Sequence, residues 1–186
     1  MRRLSDEEHL GGVLRGAATA FRPLAGQHTL EADIPEDLPL AYGDAMATDI
    51  VVGQLLENAF KYSPQGGTVT VAARRAGDRI EVTVADEGIG IPPADLERVF
   101  ERFVQGETGD RRRFGGIGLG LYIVRQLARA QGGEVAAEGR PSGGTLMRLR
   151  VDAPTLDAVA TESLESATVR DQDSPEPSAG YAGDPS

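Results

Sequence analysis

The segment Asp86–Pro92 (Asp-Glu-Gly-Ile-Gly-Ile-Pro) places a carboxylate directly after a run of alternating apolar residues at Arg79–Ala85. That alternation predicts a strand with one buried face. Gly88 and Gly90 have no Cβ atom, so the main chain can turn sharply there and approach a ligand closely. The segment therefore suits hydrogen bonding to a flat ligand, although an ordinary strand-to-helix turn is the better explanation when it is considered alone.

A predicted helix at Ala45–Tyr62 carries the second set of polar groups. At about 3.6 residues per turn, Gln54, Asn58 and Lys61 fall on one narrow stripe, and Tyr62 lies at its edge. An asparagine oxygen is a ligand that Mg²⁺ accepts beside phosphates, and a lysine ammonium is a compact charge that can meet phosphate oxygens. Any surface helix has a polar side, but this choice of amides, ammonium and phenol favours a ligand with phosphates and a flat ring.

A glycine-rich run at Gly115–Leu121 begins a helix that we expect to continue to about Gln131. A helix N-terminus offers unpaired N–H groups and a positive dipole end, and glycines let an anion reach them, so phosphate is the natural ligand. The run does not fit the dinucleotide-binding pattern, which follows a strand, or the P-loop, which ends in Lys-Ser or Lys-Thr. The preceding Arg111–Arg113 triplet either contacts phosphate or is simply solvated.

Hydrophobic periodicity predicts the elements that position these groups. Asp44 is a suitable N-cap for the second helix. Side chains at 96, 99, 100 and 103 (Leu96, Val99, Phe100 and Phe103) are expected to anchor a short helix after Pro93, and the last helix is expected to bury Leu121, Val124, Leu127 and Ala128. The predicted helices are Leu10–Leu24, Ala45–Tyr62, the short one after Pro93 and the last one to Gln131; the predicted strands are His28–Ile34, Thr68–Arg75, Arg79–Ala85, Glu134–Glu138 and Thr145–Val151.

The composition excludes several classes of protein. The 186 residues carry 19 basic and 29 acidic side chains, a net charge of −10, which argues against a nucleic-acid-binding protein. The absence of cysteine excludes disulfides and thiolate zinc sites. No apolar run approaches the ~18 residues that span a bilayer, and no signal peptide is apparent. We therefore expect a cytoplasmic chain with no membrane contact.

Three regions differ in composition. Residues 1–23 form a polar segment followed by a helix, and residues 24–152 form the domain that carries the candidate site. From residue 153 onwards the chain has seven acidic residues and one Arg, with few large apolar residues. Such a segment buries too little surface to offset its ordering entropy. We expect Asp171–Ser186 to be disordered and Thr155–Val169 to form at most a short helix.

The polar segments, in this order and spacing, resemble the nucleotide-binding boxes of the catalytic and ATP-binding domain of bacterial sensor histidine kinases. The resemblance extends over about Leu24–Val151. It implies the Bergerat-type fold of the gyrase, heat-shock-chaperone and histidine-kinase ATPase superfamily, a two-layer α+β sandwich with helices on one face of a mixed sheet. The matching segments are Leu55–Pro64 (asparagine box), Asp86–Pro92 (first glycine box), Phe100–Phe103 (phenylalanine box), Gly116–Leu121 (second glycine box) and Gly143–Thr145 (the turn before the closing strand).

The resemblance also implies residue roles, with ATP and Mg²⁺ as cofactors. Asp86 would bind the adenine amino group. Asn58 would hold Mg²⁺ against the phosphates and Lys61 would contact a phosphate, so these two would be the catalytic residues. Tyr62 and Ile91 would pack near the adenine, and Thr145 would lie close to the base. Residues 93–115 would form a mobile lid. The remaining nucleotide-binding residues would be Gln54, Gly88, Gly90, Gly116, Gly118, Leu119, Gly120 and Leu121.

Two departures from the family pattern define the expected activity. Gln54 stands where histidine kinases usually have Asn and where related ATPases and anti-sigma serine kinases have a Glu base, and an amide accepts no proton near neutral pH. Neither His9 nor His28 is followed by the acidic residue and proline of the family's acceptor. We therefore expect a monomer, a fragment or half of a split kinase, that does not phosphorylate itself.

Such a chain would present the γ-phosphoryl group of ATP to a histidine on a dimerisation domain, in cis or in trans, and would act indirectly on a response regulator. Two alternatives stay open at this point. One is a nucleotide-binding module without phosphotransfer, and the other is an anti-sigma-type serine kinase.

Overall fold

The computed structural model describes residues 10–39, 41, 44–104 and 117–153. The expectations for the acidic tail after residue 153, for Arg111–Arg113, for Gly116 and for most of the lid lie outside these residues. Within the described ranges, no helix is long and apolar enough to cross a membrane.

The centre of the fold is a five-stranded sheet whose strands lie in the order β1-β2-β3-β5-β4. Strands β1 and β2 pair in parallel, and every other pair is antiparallel, so the sheet is mixed as expected. The strands are β1 (His28–Asp33), β2 (Gly67–Ala76), β3 (Arg79–Ala85), β4 (Glu134–Gly139) and β5 (Thr145–Asp152).

Three α-helices cover one face of this sheet: α1 (Leu10–Phe21), α2 (Ala45–Lys61) and α3 (Gly120–Ala130). Asp44 caps α2 as expected, because its Oδ1 atom accepts hydrogen bonds from the main-chain N–H groups of Met46 and Ala47 at 2.9 and 3.1 Å. The Gln131 side chain accepts a hydrogen bond from the Asp44 main-chain N–H at 2.8 Å, so the end of α3 lies against the start of α2. Short 3₁₀ turns occupy Arg22–Leu24, Pro93–Asp95 and Arg98–Phe100.

The core lies between the helices and the sheet. Alternation along β3 directs Ile80, Val82 and Val84 towards the helices, and all three are fully buried. On the helical side, the fully buried aliphatic side chains come mainly from α1 and α2 (Leu10, Leu14, Val51, Val52, Leu55 and Leu56). Burial of this continuous apolar layer is the main force that holds the helices on one face of the sheet.

Two local predictions are wrong, and a third is confirmed only in part. The segment after Pro93 forms two 3₁₀ turns instead of a helix. Phe103 is 66% exposed and therefore anchors no packing; its φ is 62°, and its main-chain N–H donates to the Gly118 carbonyl oxygen at 2.9 Å. Leu121 and Leu127 are only half-buried, whereas Val124 and Ala128 are buried as expected.

Candidate functional site

A cavity of about 450 Å³ opens between α2, the N-terminus of α3 and the adjacent ends of β3 and β5. Of the residues predicted to bind a nucleotide, Gly88 does not line this cavity, and Gly116 lies outside the described ranges. The predicted residues that do line it are Gln54, Asn58, Lys61, Tyr62, Asp86, Gly90, Ile91, Gly118, Leu119, Gly120, Leu121 and Thr145.

Strand alternation explains why Asp86 faces the cavity. Asp86 continues the helix-facing series of β3 by one step beyond Val84, and it is only 5% exposed. Its Oδ1 atom accepts two main-chain hydrogen bonds, from Gly88 N–H at 2.9 Å and from Thr145 N–H at 3.1 Å. The carboxylate is therefore held in a fixed orientation at the end of the strand.

Gly88 joins two walls of the cavity. A Cβ atom at this position would overlap the Tyr62 carbonyl oxygen and would lie 2.6 Å from Ser63 Oγ. The same turn donates a hydrogen bond from Ile89 N–H to the Tyr62 carbonyl oxygen at 3.0 Å. The absence of a side chain at position 88 thus lets the turn after β3 pack directly against the C-terminus of α2.

The polar stripe of α2 lines the cavity. Asn58, the single asparagine of the sequence, is the residue whose amide nitrogen is buried with no hydrogen-bond partner in the described ranges. Gln54 Nε2 donates to Glu57 Oε2 at 3.1 Å, which orients the Gln54 amide. Lys61, the single lysine, places Nζ 5.3 Å from the centroid of the Tyr62 ring. The stripe therefore presents one amide that a bound ligand could satisfy and one ammonium.

The Asn58 amide fits a role in holding Mg²⁺. Rotation of the amide by half a turn exchanges its oxygen and nitrogen, so either atom can face the cavity. No group of three or more potential His, Cys, Asp or Glu metal ligands exists in the described part of the chain. Mg²⁺ commonly binds one or two protein oxygens together with substrate phosphates and water, and that coordination needs no larger cluster.

The N-terminus of α3 forms the opposite wall. A Cβ atom at Gly120 would lie 2.9 Å from Gln54 Cδ, so the glycine lets α3 begin directly against α2. Leu119 precedes the helix, and no side chain in the described ranges caps it. The first main-chain N–H groups of α3 therefore lie at the cavity, where the positive end of the helix dipole favours an anion.

The apolar floor of the cavity was not identified from the sequence. Leu55, Ala59, Val84 and Met147 line the cavity beside the polar groups. The strand alternation that directs Asp86 and Thr145 to the cavity also directs Val84 and Met147 to the same face. The sequence pattern of the two strands could therefore have identified these apolar residues. A flat aromatic ligand would cover this floor.

The strongest pKa shifts occur on the other face of the sheet. Burial of Glu81 would by itself raise its pKa, but hydrogen bonds from Arg74, Arg148 and Arg150 outweigh burial and lower the pKa to about 2. A hydrogen bond from Arg148 lowers the pKa of Glu138, and the bonds to Glu138 and Glu81 raise the pKa of Arg148. This cluster stabilises the outer face and is not part of the cavity.

Comparison with known proteins identifies the family to which this fold belongs. The sequence model of the family of histidine kinase-, DNA gyrase B- and HSP90-like ATPases matches residues 43–155, which is more than half of the chain. The sensor-like histidine kinase SenX3 of Mycobacterium tuberculosis is 40% identical over 124 residues, which cover 67% of this chain and 30% of SenX3. The chain thus spans about 30% of the length of this curated relative.

Solved structures show the same architecture. Full-length ShkA in complex with AMPPNP aligns with a TM-score of 0.68 at 29% identity, over 80% of this chain and 31% of ShkA. The ATP-binding domain of PrrB from Mycobacterium tuberculosis aligns with a TM-score of 0.61 at 25% identity, over 80% of this chain and 96% of that domain. The chain therefore belongs to the family of histidine kinase-, DNA gyrase B- and HSP90-like ATPases, within which it is similar to the catalytic ATP-binding domains of sensor histidine kinases.

Proposed function

We propose that this chain is the ATP-binding catalytic domain of a two-component sensor histidine kinase and that it presents the γ-phosphoryl group of ATP to a histidine on a separate domain or chain. One observation carries the proposal: Asp86, Asn58 and Lys61 line the same cavity as the start of α3, for which the described residues supply no side-chain cap. An acceptor for a base, two groups for phosphates and an apolar floor are thus combined in one site.

The adenine would lie at the end of the cavity formed by β3 and β5. Asp86 would accept a hydrogen bond from the exocyclic amino group, since its carboxylate is fixed by Gly88 and Thr145. Ile91 and Tyr62 would pack against the ring, with the Thr145 side chain close to it. A carboxylate held in this way distinguishes a base that donates a hydrogen bond from one that accepts it.

The phosphates would lie between α2 and α3. Lys61 and the first N–H groups of α3 would bind the phosphate oxygens, and Asn58 would hold Mg²⁺ there. Bound Mg²⁺ would neutralise charge on the phosphates and orient them. Gln54 supplies no base, so these residues would act by positioning and electrostatic stabilisation, as in other phosphoryl transfers.

The partners of this activity follow from its chemistry. The acceptor would be a histidine-containing dimerisation domain, present in cis in a longer protein or in trans, and the phosphoryl group would pass on to a response regulator. The catalytic domain itself would act as a monomer. Because it would use ATP, we expect it to work in the cytoplasm.

Calorimetric titration of the chain with ATP, with and without Mg²⁺, tests the binding step. We expect saturable binding that Mg²⁺ strengthens. In Asn58→Ala, ATP should still bind, but Mg²⁺ should strengthen the binding much less. Glu31→Ala, an exposed change on β1, is the matched control. Equal Mg²⁺ dependence in wild type and Asn58→Ala would remove Asn58 from the metal site.

The single lysine permits a second test of the same site. An amine-directed acylating reagent modifies only Lys61 and the N-terminal amine. Saturating ATP should protect Lys61, measured by peptide mass spectrometry, while labelling of the N-terminal amine stays constant as an internal control. Equal labelling of Lys61 with and without ATP would contradict its phosphate contact.

Transfer itself is tested with γ-labelled ATP and a separately purified acceptor-helix domain. Acid-labile label on that domain is the expected result, with Lys61→Met as the impaired variant. Nucleotide binding without any label on histidine would leave a binding module instead of a kinase. Acid-stable label on serine would identify a serine kinase.

A further inference from the structure

The last hydrogen bonds between β3 and β5 depart from the regular ladder. Ala85 lies opposite Leu146, so Asp86 lies opposite Thr145 in the same register. In a hydrogen-bonded antiparallel pair, the two residues exchange both main-chain bonds. Asp86 N–H donates to the Thr145 carbonyl oxygen at 2.9 Å, but Thr145 N–H donates to the Asp86 carboxylate at 3.1 Å. A side chain has therefore taken the place of the Asp86 main-chain carbonyl.

The displaced carbonyl has another donor. The half-buried Arg140 donates from Nη1 to the Asp86 carbonyl oxygen. Arg140 stands in the turn between β4 and β5, where Gly143 N–H donates to the Arg140 carbonyl oxygen at 3.0 Å. The carbonyl is enclosed on this side, because a Cβ atom at Gly144 would overlap it. Within the described residues, Arg140 is thus a side chain that donates to this oxygen.

Two arrangements compete for the Thr145 N–H group. In one, the Asp86 carbonyl accepts the bond and completes the ladder; in the other, the carboxylate accepts it and is held at the cavity. An enclosed carbonyl without a donor is unfavourable, so the second arrangement needs a replacement donor. Arg140 supplies that donor.

We propose that Arg140 is a positioning residue that holds the Asp86 carboxylate in the orientation that selects adenine, without itself contacting the nucleotide. The proposal rests on the nucleotide-binding function proposed above. Arg140 does not line the cavity, so its effect must pass through the main chain of Asp86.

Three variants of the full chain test this role. Arg140→Met keeps an unbranched side chain and removes every donor, whereas Arg140→Lys keeps a charged donor. Arg75→Met is the matched control, since Arg75 also binds a hairpin carbonyl, donating from Nε to Gly77 O at 3.0 Å, but does so in the turn between β2 and β3. The probes are the Mg²⁺ complexes of ATP and of ITP, which has an oxo group where ATP has the amino group.

In calorimetric titrations, Arg140→Met should bind ATP about tenfold more weakly, while its ITP affinity changes by less than about twofold. Arg140→Lys should recover most of the ATP affinity, and Arg75→Met should leave both affinities unchanged. Equal weakening of ATP and ITP in Arg140→Met, or no weakening, would overturn the positioning role.

A measurement without nucleotide separates this proposal from the proposed function. Gly88 N–H and Thr145 N–H share one carboxylate oxygen, so their amide NMR resonances should move together when Asp86 is protonated by acid. In Arg140→Met, the amide resonance of Thr145 should no longer move with that of Gly88, because the Thr145 N–H group then donates to the main-chain carbonyl of Asp86. If wild type binds no nucleotide, the proposed function fails, and this resonance still decides whether Arg140 positions Asp86. Unchanged co-titration in Arg140→Met refutes the positioning.

Discussion

Replacement of Asp86 by asparagine should change an acceptor at the cavity into a donor. The Oδ1 position receives two main-chain N–H groups, at 2.9 and 3.1 Å. An amide nitrogen placed there would meet two donors, so the amide oxygen of the introduced asparagine must occupy this position. The amide nitrogen then takes the other position of the former carboxylate. The orientation of the new side chain is therefore fixed by the fold.

The expected loss of affinity follows from this exchange. An adenine amino group that met the carboxylate in the wild type would face another donor in Asp86→Asn. A buried donor without an acceptor costs about 1–3 kcal/mol, which corresponds to roughly 5- to 150-fold in Kd. The two main-chain bonds persist but lose their ionic character, so the free energy of unfolding should fall by only about 1–2 kcal/mol.

Calorimetric titration with ATP and with ITP, below the melting temperature of the variant, measures its affinity for each nucleotide. The affinity for ATP should fall by roughly 5- to 150-fold. The ratio of ITP affinity to ATP affinity should rise, because the new amide nitrogen can donate to the oxo group of ITP. Asp78→Asn carries the same charge change in the exposed turn between β2 and β3 and serves as the control. Equal weakening of ATP and ITP in Asp86→Asn, or unchanged affinities, would show that the adenine contact lies elsewhere.

Three further predictions use other parts of the fold. Gly120→Ala should lower ATP affinity several-fold with little change in stability, because its Cβ would lie 2.9 Å from Gln54 Cδ and displace that amide; titration of the folded variant measures the effect. Gly16→Ala should raise the free energy of unfolding by about 1 kcal/mol in urea denaturation, since none of the residues that the structure describes would contact the new Cβ on the exposed side of α1. The Glu81 pKa is lowered from 4.5 to about 2, so its stabilising effect is complete above pH 4.5 and is lost as the pH falls towards 2. Glu81→Gln should remove about 3 kcal/mol of stability at pH 7 and little at pH 2, with the half-exposed Glu138→Gln as a milder comparison.

Periodicity made most elements predictable. The bounds of β3 agree with the prediction, and α2 ends one residue early, because each has a regular apolar pattern and clear flanking signals. Local propensity did not predict the two 3₁₀ turns after Pro93. It also did not predict the exposure of Phe103, whose main-chain N–H donates to the carbonyl oxygen of Gly118. Helix periodicity placed Gln54, Asn58 and Lys61 on one stripe, whereas the other predicted cavity residues came mainly from the family resemblance. The contact of Arg140 was not predicted, because it depends on the main-chain carbonyl of Asp86, which does not accept the regular hydrogen bond from Thr145 N–H.

Two of the predicted glycines have a role in the structure that the sequence did not indicate. Gly88 and Gly120 were expected to let the main chain approach a ligand. In the structure, each lies where two walls of the cavity touch: Gly88 against the end of α2, and Gly120 against Gln54. Gly144 does the same between β5 and the Asp86 carbonyl. A side chain at Gly88 or Gly144 would overlap main-chain atoms and separate the walls, whereas at Gly120 it would displace only the Gln54 side chain. Substitutions at Gly88 or Gly144 should therefore change the affinity for the base and for the phosphates together, whereas Asp86→Asn should change only the recognition of the base.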